Sequence, residues 1–204
     1  MIFRGREGIS LQRLVIHFKW YLNLAKLFSI KSIYILFSLI LLSESSSAQS
    51  VRKAEYLLKS INIYKICKFI EWPESNKESD YFVISIIGDL PEGIKIEIPP
   101  DKLIAKKRVL VKHLTHVNQA EGSNVLFICE SEKNNIKKIL NFTKNIAVLT
   151  IGDTNGFAEM GVMINFYIKD ELVNFEINDQ AVLSSKLEFQ SQLFKIGRRV
   201  QTIN

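Results

Sequence analysis

The sequence predicts an α/β fold: a three-layer sandwich with a mainly parallel, mixed sheet flanked by helices, ending in a hairpin and helices. Three observations carry that expectation. Asn124–Cys129 (NVLFIC) and Ile146–Ile151 (IAVLTI) are nearly continuous apolar runs, as strands covered on both faces require. Between them SEKNNIKKILNFTKN has helical character, and a strand–helix–strand unit closes through a right-handed crossover into a parallel pair. Val162–Ile168 and Glu171–Ile177 are β-rich and joined tightly at Lys169-Asp170, which adds an antiparallel hairpin.

The remaining elements follow from local patterning. Residues Val51–Glu71 contain neither Pro nor Gly and stop at Trp72-Pro73, so a helix of about five turns is expected. It carries two apolar stripes. Ala54, Leu57, Leu58, Ile61 and Tyr64 make one; Tyr56, Ile63, Ile66, Cys67 and Ile70 make the other. A helix apolar on both sides must be covered on both. The expectation is that the body covers the Leu57–Ile61–Tyr64 side and that Tyr56, Ile63, Ile66 and Ile70 form a contact face for a homodimer or a partner helix. The alternative is a helix sunk between other elements.

YFVISIIG (81–88) and RVLVKH (108–113) read as strands, the first closed by Gly88-Asp89. Pro91, Pro99 and Pro100 make 89–107 a loop, with at most a short strand at 94–98. Asn178 or Asp179 suits the cap of a helix starting at Gln180. The tail QAVLSSKLEFQSQLFKIGRRV is expected to be helical, its basic end matching the helix dipole.

The N-terminus reads as a targeting segment. IYILFSLILL (33–42) is apolar, follows Lys31 and precedes SESSSAQS, where Ser46 and Ala48 stand at −3 and −1 of a signal-peptidase site. The run is shorter than the about 20 residues of a spanning helix. Residues 1–48 are therefore expected to be a signal peptide with a long basic leader, cleaved to leave Gln49 first, and 49–204 the exported domain. A retained membrane anchor and a soluble helix are the alternatives. The expected location is the periplasm, with membrane contact only through the signal peptide.

Charge agrees with this division. The chain of 204 residues has a formal net charge of +6. Residues 1–48 hold six basic and two acidic residues, and the remainder 21 basic and 19 acidic. A body so nearly balanced carries no electrostatic footprint for nucleic acid. A hydrophobic content of 47%, four Pro and two Cys exclude a disordered chain and a disulfide-dense miniprotein.

No catalytic motif stands out. There is no GxSxG, no glycine-rich phosphate cradle after a strand, and no metal-ligand spacing around the two Cys and three His. The expectation is a non-enzyme with no cofactor and no metal. Gly88-Asp89 and Gly152-Asp153 each close a strand, and Glu130 follows a third. Asp89, Glu130 and Asp153 are thus a candidate ligand edge outside the carboxyl ends of the strands, with ordinary turns and solvated carboxylates as the plainer reading. In an oxidising compartment Cys67 and Cys129 could pair or respond to redox state; two buried structural thiols are the alternative.

Taken together, FIEWP (69–73), FVISIIGD, VLFICESE, IAVLTIGDTNGFAEMGVMINFYIKDELVNFEIN and QSQLFKIGRRV resemble the YfiR family of small exported bacterial proteins, over about residues 51–200. The resemblance implies an α/β fold, a periplasmic location and a regulatory job. The family's named member restrains an inner-membrane diguanylate cyclase by binding it and responds to the redox state of its cysteines; related domains are fused to membrane sensor kinases. The sequence departs from the family where Met160 and Val162 flank Gly161. It also has Ser123, not Cys, near the start of the VLFI strand. The expected function is control of an inner-membrane signalling partner, with a periplasmic small-ligand-binding module as the alternative.

Overall fold

The structure, a computed structural model, describes residues 49–73 and 80–203, with isolated positions between 19 and 35. The chain divides into two compact units, 1–51 and 52–204. In the first, the described positions are helical and exposed. The apolar run 33–42, save Tyr34 and Ile35, and the cleavage site at 46–48 lie outside the described residues. Among the described residues, no helix is long and apolar enough to cross a membrane.

The second unit is an α/β sandwich around an eight-stranded sheet. Its strands are β2 (Tyr81–Ile87), β3 (Leu103–Ile104), β4 (Lys107–Leu114), β5 (Val125–Ile128), β6 (Leu149–Gly152), β7 (Ile164–Lys169), β8 (Leu172–Asn178) and β10 (Arg198–Val200), in the order β10-β8-β7-β6-β5-β2-β4-β3. Strands β4, β2, β5, β6 and β7 run parallel. The sheet is mixed because β8 is antiparallel to β7 and β3 to β4.

Residue alternation explains the layers, since successive side chains in a strand point to opposite faces. In β5, Val125 and Phe127 join one core with helix α1, residues 49–67. Leu126 and Ile128 join the other, beneath α2 (Ile136–Thr143). The apolar runs are continuous because both faces are covered. The crossover from β5 to β6 passes through a 3-10 turn, Glu130–Asn135, before α2, so the helix is shorter than its sequence signal. In the β7–β8 hairpin Lys169 faces Leu172, and Asp170 and Glu171 both have positive φ, as a two-residue type I′ loop demands.

The structure corrects the sequence reading in four places. Helix α1 ends at 67. Ile70–Glu71 is a short strand, β1, paired antiparallel with β9 (Glu188–Phe189), and Trp72 donates from Nε1 to the carbonyl of Cys67 at 3.3 Å. The tail is not one helix. It holds α3 (Asp179–Leu183), capped by Asn178, then β9, α4 (Ser191–Ile196) and β10. The helical run is interrupted after Leu183 by β9, and Gly197 ends α4 in an extended conformation, where a Cβ would lie 2.6 Å from Phe175 Cε2. The basic end makes ion pairs from an edge strand instead of meeting a helix dipole: Arg198 with Glu176 and Arg199 with Asp179. In the 89–107 loop the strand is β3, not 94–98.

The fourth correction concerns α1. Tyr56, Ile63, Ile66 and Ile70 are buried in the main core, so they are not an exposed contact face. The side left outward is the other stripe, with Leu57 60%, Leu58 42% and Ile61 37% exposed. Ile63→Glu accordingly places a charge at a position with no solvent access. The expected outcome is loss of the cooperative thermal transition in circular dichroism, because an unpaired buried charge costs several kcal/mol against a total stability of about 5–15 kcal/mol. A folded variant with wild-type melting would show that the helix is seated otherwise.

Candidate functional site

Three parallel neighbours, β2, β5 and β6, end side by side, and their ends converge on the N-terminal half of α1. Asp89, Glu130 and Asp153 line one pocket there, of about 520 Å³, together with Arg52, Lys59 and Tyr56. The sheet therefore brings all three candidate-edge carboxylates together.

Two glycines allow the approach. Gly88 has φ +90°, and a Cβ on it would lie 2.5 Å from Ser131 Oγ, which in turn accepts the Asp89 backbone N–H at 2.8 Å. A Cβ on Gly152 would lie 2.7 Å from Phe157 Cδ2. Both Gly-Asp steps thus do more than punctuate turns: each lets a neighbouring element close onto the strand end.

At the pocket floor Asp153 is occupied by the helix. It accepts a hydrogen bond from Tyr56 Oη at 2.7 Å and one from Lys59 Nζ, also at 2.7 Å. Lys59 pairs as well with Glu55 at 2.5 Å, one turn earlier, and its ammonium sits 4.1 Å from the Tyr56 ring centroid. Lys59 is 4% exposed, so it is a buried cation satisfied by two carboxylates and an aromatic face. Burial, and then the charge of Asp153, push the Tyr56 hydroxyl far above its ordinary pKa. Next to it Ser60 donates to the Tyr56 carbonyl at 2.9 Å and accepts the Glu97 N–H at 3.2 Å, tying the long loop to α1.

Sequence reasoning missed Lys59 and Ser60. Both fall within the arc of Tyr56 and Ile63, three to four residues away, and that helical spacing was the signal available. Once that stripe is inside, a lysine on it must have a carboxylate partner.

Among the described residues no group of three or more His, Cys, Asp or Glu could hold a metal ion. Asp153 is engaged by Tyr56 and Lys59, and Glu55 by Lys59, which leaves Asp89, Glu130 and Arg52 as the lining charges outside that cluster. The pocket is amphoteric and suits hydrogen bonding to a small polar molecule.

Residues 56–198 match the YfiR/HmsC-like family. The chain belongs to that family. The match begins at Tyr56 and takes in Lys59, Asp89, Glu130 and Asp153, so the pocket lies within the YfiR/HmsC-like region apart from Arg52 and Glu55. No curated protein matches the chain.

The two cysteines of this YfiR/HmsC-like chain lie in the same core as free, buried thiols. Burial pushes the pKa of Cys67 far up. Burial, then the carboxylates of Asp153 and Asp89, push that of Cys129 up to about 12 from 9.0.

Two outcomes follow from this geometry. Asp153→Asn leaves the Lys59 ammonium with Glu55 alone and should destabilise the domain by about 3 kcal/mol, measured by urea unfolding; breaking a buried ion pair typically costs that much. An unchanged midpoint would show that Glu55 suffices. For the thiols, Cys129 keeps its proton in the folded chain at pH values where the unfolded chain has lost it. Stability should therefore fall as pH rises from about 9 toward 12, and a disulfide reagent at pH 8 should modify both cysteines only on unfolding. Rapid labelling of the native chain would refute this.

Proposed function

We propose that the protein is an exported, non-catalytic regulator that controls an inner-membrane signalling protein, a diguanylate cyclase or a sensor kinase, through the outward face of α1. Membership of the YfiR/HmsC-like family supports the regulatory reading. The observation that carries the contact surface is the aliphatic stripe Leu57, Leu58 and Ile61, exposed on a helix whose other side is fully engaged in the core. Exposed Lys53 and Lys65 border the stripe. A partner segment with an apolar centre and an acidic rim complements it, since apolar burial supplies affinity and charge supplies orientation. A homodimer through the same stripe sets these lysines against one another and is the less favoured pairing.

In this reading residues 1–48 direct export and Gln49 is the first residue of the mature periplasmic protein, which N-terminal sequencing of the exported chain checks. A second reading, a small-ligand module, is favoured by one observation: Asp89, Glu130 and Arg52 face a common opening. In that case a ligand would be retained by the wild type and lost from Asp89→Asn/Glu130→Gln.

The experiment for the first reading is a pull-down of the mature chain from inner membranes with mass spectrometry of the captured proteins. Leu57→Glu/Ile61→Glu should melt within a few degrees of the wild type and lose the signalling protein at least tenfold. Capture of that protein unchanged by the double variant would move the contact away from α1.

A further inference from the structure

A second cavity lies away from the strand-end pocket, between α2 and α3. Its volume is about 980 Å³, at the upper end of the about 300–1,000 Å³ usual for small-molecule sites. One wall is α2 and its C-cap: Lys137, Asn141 and Lys144 fall at spacings of four and three, with Lys138, Leu140 and Thr143 beside them. The other is the face of α3 that carries Gln180 and Ser184. Outside the lining, Lys186 after α3 donates to the carbonyl of Asn145 after α2 at 3.0 Å.

The lining is chemically one-sided. Its charged residues are Lys137, Lys138 and Lys144, with no carboxylate among them, and none of the three makes an ion pair among the described residues. Gln180 Oε1 already accepts the Thr202 N–H at 3.2 Å, so what that amide has left to offer is its NH₂ donors. The floor is apolar. Leu140 and Met163 are buried there beside Thr143 and Thr150, and Met160 is exposed at the rim. Between them Gly161 has φ +108°, and a Cβ there would come within 3.4 Å of Leu140 Cδ1, so the missing side chain keeps the floor open. Thioether side chains adapt to the shape of an apolar guest.

We infer that this groove binds a small organic anion, a carboxylate, sulfonate or phosphate on an apolar body. The anionic group meets Lys137 and Lys144 and the donors of α3, and the body lies on Leu140 and the two methionines. Clustered like charges in a concave site gain from an anion what they lack in the chain itself. The site is distinct from the strand-end pocket and from the α1 stripe, so it stands whichever reading of the function holds.

The test is a fluorescence titration of the mature chain with 8-anilinonaphthalene-1-sulfonate, an aromatic sulfonate. One saturable site is expected, weakened by added salt as partly exposed ion pairs are. Lys137→Glu/Lys144→Glu should weaken binding at least tenfold with melting unchanged. Ser184→Glu, on the opposite exposed wall, should do the same and serves if the double variant folds poorly. Leu57→Glu and Lys65→Glu on α1 should leave the affinity within twofold. Wild-type affinity in both groove variants, or loss of binding in the α1 variants, would overturn the assignment.

Discussion

The ammonium of Lys59 determines how α1 lies on the sheet. An unpaired charge that far from water costs several kcal/mol, so the helix can seat Ile63, Ile66 and Cys67 in the core only where Lys59 finds carboxylates. Glu55 supplies one from the same helix, and Asp153 supplies the other from the end of β6. Asp153 in turn depends on Gly152, whose missing Cβ admits Phe157 beside the strand end. One ion pair thus links the rotation of the first helix to the end of a central strand. The rotation it selects leaves Leu57, Leu58 and Ile61 outside.

That dependence explains which parts of the fold were legible in the sequence. NVLFIC and IAVLTI were readable as strands because burial on both faces writes itself as a continuous apolar run. Lys169-Asp170 was readable as a hairpin joint, and Asn178 as a cap: its side chain accepts the Ala181 N–H at 2.8 Å. These signals are local. The two stripes of α1 are equally apolar, and the choice between them rests on a carboxylate far along the chain, which no window around the helix contains. FIEWP has the same character. Ile70 continues a helical pattern, yet its partner across β1–β9 is Phe189, close to the other end of the domain. The tail was misjudged for the same reason, since Glu188–Phe189 leaves the helical pattern to pair with Ile70–Glu71 at the other end of the domain.

The strand-end pocket was legible for a topological reason. Strands that are parallel and adjacent end on one edge, so the residue after each strand joins a common rim. What the pattern did not reveal is that the rim residues are not equivalent. Asp153 turns inward to Tyr56 and Lys59 and serves the fold, whereas Asp89 and Glu130 stay with Arg52 at the mouth. A carboxylate list taken from strand ends includes Asp153, which serves the fold, and omits Glu55, which α1 adds to the lining.

The cysteines illustrate how packing limits regulation. Oxidation chemistry requires a thiolate with access to solvent. Cys67 sits on the engaged face of α1, and Cys129 follows β5 in the same core; burial raises the pKa of both and suppresses the small thiolate fraction an ordinary thiol has at neutral pH. The carboxylates of Asp153 and Asp89 add to that effect at Cys129, so the ion pair that holds the helix down also helps to quiet the nearest thiol. Both sulfurs are closed off from solvent, so oxidant reaches them only after the packing around them opens. Leu57, Leu58 and Ile61, by contrast, are exposed in the closed domain. The closed structure thus keeps both thiols inside while the aliphatic stripe of α1 stays outside.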